Sequence, residues 1–240
     1  MVNLPTINEL SQAAVQIGHR LNKRHPKMAK YIQGAKNGIS FIDLKKTTEK
    51  LQEALDFVEE LGARGGVMVL VGTKPSAKEI IKKYAQAANL AYVSERWLGG
   101  TLTNFSTIAK LIEKLKKLSQ EKEKNEWQKY TKKERLGLEK DLKRLEIMVG
   151  GLESLTRLPD TLYVVDLIQE ATAVNEARKK NVSLIAITDT NTNPEQVTYP
   201  IPANDDATKS IELITKLIVE AYQAGQTKTK DKPAKKTQES

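Results

Sequence analysis

The 240-residue sequence has no cysteine and only two histidines, and aromatic residues make up just 5% of it. Without cysteine there are no disulfides, thiolate metal sites or cysteine nucleophiles, and a reducing compartment suits the chain. No apolar run approaches the ~18–20 residues that span a bilayer. The opening MVNLPTINELSQAAVQIG lacks the basic-then-apolar order of a signal peptide. No GxGxxG occurs, and VGTKPSAKE (71–79) lacks the second glycine and the Lys-Ser/Thr pair of a P-loop. These absences predict a soluble cytoplasmic protein with no membrane partner and no standard phosphate loop.

Positive charge and core-forming residues are both plentiful. Lys and Arg number 39 against 30 Asp and Glu, a formal charge of +9, and 39% of residues are hydrophobic. A cationic excess of this size favours a polyanionic partner, because phosphates are attracted over a Debye length or so. The length allows one large domain, or one domain with an appendage.

Residues 1–36 hold six cations (Arg20, Lys23, Arg24, Lys27, Lys30 and Lys36) and a single acid, Glu9. Leu10, Ala14 and Ile17 predict a short helix, capped by Thr6 or Asn8 and ending near Gly18. HRLNKRHPKMAKY then reads as a basic loop without regular structure, since Pro26 favours an extended or turned chain before it. From residue 37 onward strands and helices alternate. ISFIDL predicts a buried strand, and KTTEKLQEALDFVEEL a helix with Leu51, Leu55, Val58 and Leu61 on one face. GVMVLVG has the continuous apolar form of a parallel strand covered on both sides. Pro75 fits the first turn of the next helix, and AYVS is a short strand. LYVVD, SLIAITD and a weaker strand near YPIP follow after residue 150, with EATAVNEARKKN as a helix and DATKSIELITKLIVEAYQ as a last helix capped by Asn204 or Asp205. About five strands separated by helices predict a doubly wound parallel α/β sheet over 37–104 and 150–225.

Residues 105–149 interrupt this alternation. From 106 on they carry 13 Lys or Arg and 8 acids. Ile108, Leu111, Ile112, Leu115 and Leu118 form one apolar stripe, and Leu138, Leu142, Leu145 and Val149 a second. Thr131-Lys-Lys-Glu134 has capping-box form and starts a new helix. Two such helices predict an antiparallel coiled-coil hairpin, with arms of roughly 25–30 Å. RWLGGTLTN (96–104) leads into it. Gly99 and Gly100 suit a sharp exit from the sheet, Thr103 or Asn104 can cap the first arm, and Trp97 suits a packed anchor better than an exposed stacking surface. QTKTKDKPAKKTQES (226–240) reads as a disordered basic tail.

Three kinds of chemistry fit these residues. Lys74, Asp166 and Asp189 close predicted strands at the end where α/β sheets bind ligands, so a nucleotide-binding or phosphotransfer enzyme is one reading; the bland one makes Gly72 a turn and the two Asp caps. His19 could join a Mg or Zn site with Asp189 and Asp205 if the fold brings them near. The cations Arg20 to Lys30, with His25 and Tyr31 among them, suit phosphate contacts plus base stacking, which favours RNA. A hairpin that binds protein alone, as an adaptor, is a further reading.

Taken in order, Gly18-His19, NKRHPKMAKYIQGAKNGISFIDLKKT (22–47), VLVGTKPSA, RWLGGTLTN, GLxxLxRLPDTLYVVD (151–166), AITDTNTNP (186–194) and YPIPANDDA (199–207) resemble the bacterial "S-two" family of small ribosomal subunit proteins. The resemblance spans about residues 8–225. It implies a flavodoxin-like sheet with an inserted coiled-coil hairpin and a non-enzymatic place in the ribosome, bound to small-subunit rRNA and neighbouring proteins. It also implies a part in recruiting the large mRNA-binding protein "S-one". By position, Arg20, Lys23, Arg24, His25, Lys27, Lys30, Lys36 and Arg96 would face RNA or neighbouring proteins. Where many relatives have His-x-Gly-His, this chain has Gln16, which counts against an inherited metal.

Overall fold

The computed structural model describes residues 3–230, with side chains as far as Lys228. Helix α1 (Ile7–Gln12) starts in a capping box: Thr6 Oγ1 accepts the Glu9 N–H at 3.3 Å, and the Glu9 carboxylate accepts the Thr6 N–H at 2.7 Å. It ends earlier than the expected Gly18. Ala14 adopts φ 60 and Val15 N–H reaches back to Leu10 C=O at 3.1 Å, a left-handed helix stop in which Ala stands where glycine is usual. Ile17 therefore belongs to strand β1 (Ile17–Arg20) and not to the helix.

The basic segment is more ordered than its sequence suggested. Two short 3₁₀ turns, Leu21–Lys23 and Pro26–Tyr31, lead into strand β2 (Ile32–Lys36), which pairs with β3 (Ile39–Ile42). Asn37 and Gly38 both take positive φ, the two-residue turn that joins right-twisted strands. ISFI thus lies outside the parallel sheet and is the middle strand of a separate antiparallel sheet, β1-β3-β2.

The α/β domain follows as α2 (Leu44–Ala63), β4 (Met68–Val71), α3 (Lys78–Ala87), β5 (Ala91–Val93), then, beyond the hairpin arms α4 (Phe105–Glu123) and α5 (Lys132–Val149), β6 (Thr161–Val164), α6 (Ala171–Lys179), β7 (Ser183–Thr188), β8 (Tyr199–Pro202) and α7 (Thr208–Lys230). Five parallel strands lie in the order β5-β4-β6-β7-β8, the flavodoxin-like arrangement. Pro75 sits in the turn that leads into α3 and not in its first turn. Asn204, whose Oδ1 accepts the N–H groups of Asp206 (2.8 Å) and Ala207 (2.9 Å), caps the approach to α7.

Alternation along the strands divides the core in two. Met68, Leu70, Tyr163, Val165, Ile185 and Ile187 pack with α2, α3 and α7. Val69, Val71, Leu162, Val164, Leu184 and Ala186 face the other way, onto α6 and the base of the hairpin. The hairpin's apolar seam (Ile108, Ile112, Leu115, Leu118, Leu142, Leu145, Val149) is continuous with this second core, so the arm grows from the sheet with no flexible linker between them. Its far end is closed by Trp127, 6% exposed, in a 3₁₀ turn just before the Thr131–Glu134 capping box. Helix α7 runs through 226–230, and residues 231–240 of the expected tail lie outside the described residues. Among the described residues no helix is long and apolar enough to cross a membrane.

Candidate functional site

Strand β1, the 3₁₀ turns and β2 carry the cations of this segment. Arg20, Lys23, Arg24, Lys27, Lys30 and Lys36 are all exposed and His25 is half-buried. Lys27 pairs with Glu195, and Lys30 Nζ lies 5.0 Å above the Tyr31 ring. No salt bridge forms among the described residues at Arg20, Lys23, Arg24 or Lys36, so these charges are open to a partner. Leu21 stands among them 45% exposed. Tyr31 is buried, which removes it as a stacking platform.

This module is fixed to the α/β domain by the loop after β7. Thr190 Oγ1 accepts the His19 N–H at 2.8 Å, and its carbonyl accepts the His25 N–H, also at 2.8 Å. Gly18 packs so tightly on Thr190 that a Cβ there would run into the threonine side chain. Asn204 N–H donates to Val15 C=O at 3.0 Å. ITDTNTN is therefore a docking surface for the basic module.

The carboxyl ends of the strands hold an acidic cluster. The Lys74 ammonium lies 3.2 Å from Asp166 and 3.1 Å from Asp205, and pairs with Asp206 as well. Burial alone would lower its pKa, but these carboxylates hold it above the ordinary lysine value. Asp205, 1% exposed, is pushed up to about 7 by burial and by the charges of Asp189 and Asp166. His19 Nδ1 lies 3.1 Å from Asp189, and that hydrogen bond raises its pKa against the effect of burial. Glu170, raised by burial, accepts the Thr73 N–H at 2.7 Å. Asp166 takes φ 126 while its Oδ1 accepts the N–H groups of Ile168 and Gln169, so it is the cap that the bland reading expects. The place where this fold type binds phosphates is thus occupied by internal acids and their own lysine, which opposes a phosphate ligand.

A metal fits this cluster poorly. His19, Asp205 and Asp206 can bring one ligand atom each within 4.8 Å of the others, with Asp206 in the place assigned to Asp189. Asp205 Oδ2 is buried without a hydrogen bond, which favours an ion. Against it, the Lys74 charge already sits on both carboxylates. Gln16 bonds Ser11 of α1 through its amide at 3.1 Å.

The joint into the hairpin is the third assembly. Trp97 is 7% exposed and packs in the second core, while Arg96 beside it is exposed. Gly100 takes φ +94, whereas Gly99 has open space around it. Asn104 precedes α4 but its side chain caps no backbone N–H; it accepts from Ser106 Oγ at 3.2 Å. The carboxylate of Glu176 on α6 instead holds the turn that precedes α4. It accepts the N–H groups of Gly100 (2.7 Å), Leu102 (2.9 Å) and Thr103 (3.1 Å), the Thr103 hydroxyl (3.1 Å) and the Trp97 indole (3.2 Å). Burial pushes its pKa up, but these donors outweigh that and hold it below the usual carboxylate value. Glu176 was legible only as an acid within three residues of the buried Ala173 and beside Ala177.

The sequence model of ribosomal protein S2 matches residues 10–225, most of the chain. The chain belongs to the ribosomal protein S2 family. As an S2-family protein it is a structural component of the small ribosomal subunit and not an enzyme, which agrees with strand ends closed to phosphate. The match takes in the basic module, the joint and the whole hairpin.

Proposed function

We propose that this S2-family chain binds small-subunit rRNA through the cations of β1, the 3₁₀ turns and β2, with the hairpin as a second contact to RNA or to neighbouring proteins. The observation that carries this reading is the set of exposed cations Arg20, Lys23, Arg24 and Lys36, without salt bridges among the described residues, on a module docked by hydrogen bonds from its own backbone. Rigid mounting matters because phosphate contacts give affinity, whereas shape and register select the site. Arg96, exposed at the foot of the hairpin, is a further cation offered to RNA in this reading. Support for recruitment of the large mRNA-binding protein "S-one" rests on family membership alone and belongs to the same proposal. Lys74, in place of a Mg or Zn ion, supplies the positive charge that the buried carboxylates need.

Sedimentation with small subunits lacking the native S2 protein tests the reading. The chain should co-sediment at moderate salt and dissociate at high salt, and the Arg20→Ala/Lys23→Ala/Arg24→Ala/Lys27→Ala variant should bind at least tenfold more weakly. A variant that binds like the parent would overturn the proposal. Deletion of residues 106–149 should leave part of the binding, and complete loss would favour a hairpin adaptor.

A further inference from the structure

We propose that Glu176 is the positioning residue that sets the direction of the hairpin, and so the placement of its tip on the subunit; the second half of this statement rests on the function proposed above. Five donors converge on this one carboxylate, three of them backbone N–H groups from the four-residue stretch Gly100–Thr103. Such convergence requires a turn that points successive N–H groups to one side, and the positive φ of Gly100 provides it. Glu176 is 7% exposed and has no salt bridge among the described residues, so its charge is balanced by these dipoles alone. The bonds are therefore charge-assisted and short of competition from water.

The location gives the contact its consequence. Only Asn104 separates residues 100–103 from the start of α4 at Phe105, and within that stretch Thr101 and Leu102 are buried. Glu176 sits within α6, which packs on the same sheet face as the hairpin base. A helix of the sheet layer thus grips the turn that leads out of the sheet into the hairpin. The returning leg is held sterically in the 3₁₀ turn Gly150–Leu152, because Gly151 presses on the Tyr92 carbonyl where no Cβ fits. The hairpin is gripped on both legs, and the Glu176 grip, made by hydrogen bonds, is separable from the apolar core. A small error there is magnified at the tip, since α4 is 19 residues long and rises about 1.5 Å per residue.

The absence of native cysteine allows the test directly on the full chain. Spin labels at Lys122→Cys near the tip and Glu60→Cys on α2 report the hairpin-to-sheet distance by pulsed electron resonance. The parent should give one narrow distribution. Glu176→Gln, which replaces an acceptor oxygen by a donor, should at least double its width while circular dichroism and the sheet's thermal transition stay within a few degrees of the parent. Should Glu176→Gln fail to fold, the Trp97→Phe/Thr103→Val variant, which removes two of the five donors and keeps the carboxylate, decides by the same broadening. An unchanged distribution in a folded variant overturns the proposal. Distances are read without RNA, so failure of the rRNA reading leaves this result intact, and the reverse also holds.

Discussion

His19 Nδ1 lies 3.1 Å from the Asp189 carboxylate, across the seam where the antiparallel sheet meets the end of β7. The adjacent Thr190 bonds the backbone on both sides of the cationic turn. A residue pair that reads in sequence as metal or catalytic chemistry is here a fastening. Asp189→Asn should weaken it by about 2 kcal/mol, the scale of a hydrogen bond to a charged group. Hydrogen exchange should show faster exchange in Ile17–Arg20 than in the core strands. Equal protection in variant and parent would contradict the fastening role.

The same seam gives a pH dependence. His19 and Asp205 both have raised pKa values in the folded protein, so the folded state holds protons that the unfolded chain releases. Stability therefore falls as pH rises. For Asp205 the loss runs from its ordinary 3.8 up to about 7. For His19 the contribution is complete below 6.5 and is lost as pH rises through its folded value. Lys74 does not titrate in this window, and Asp166, Asp189 and Asp206 complete the charged surroundings. Urea denaturation between pH 5 and 8 (roughly the span of these two groups) should show declining stability, with a shallower decline in Asp205→Asn. The acidic side has the opposite sign. Glu176 is held low, so its contribution is present above 4.5 and is lost as pH falls through its folded value.

The two glycines of the joint are not equivalent. Gly99→Ala meets open space and should change stability by less than ~0.5 kcal/mol. Gly100→Val forces a β-branched residue to φ +94 and should cost roughly 1–3 kcal/mol. Thermal melts of the two variants decide the matter, and equal shifts would contradict the assignment of the turn to Gly100.

Lys74 as the internal cation also has a simple check. Dialysis against EDTA should leave the melting temperature unchanged, whereas Lys74→Met should destabilise by about 3 kcal/mol, the cost of stranding buried charge. A drop on chelation, restored by Zn²⁺ or Mg²⁺, would show that an ion does the work instead.

The parallel sheet was legible because continuous apolar runs such as MVLV are required by a strand covered on both faces. The hairpin was legible from its stripes and from Thr131–Glu134. The antiparallel sheet was missed, although Asn37-Gly38 is a strong local turn signal, because β2 carries IQGAK with no apolar alternation. RWLGGTLTN holds no acid because its acid arrives from α6, through a contact that no local pattern encodes. Long-range polar pairs of this kind depend on how the layers stack, and the sequence spacing of 76 residues between Gly100 and Glu176 carries no trace of it.

The most direct measurement is hydroxyl-radical footprinting of small-subunit rRNA reconstituted with the parent chain, with the Arg20/Lys23/Arg24/Lys27→Ala variant and with no S2 protein. The parent should protect a discrete set of rRNA backbone positions, and the variant should lose a contiguous part of that set. Identical protection by parent and variant, or no protection by the parent, would contradict rRNA binding through these cations.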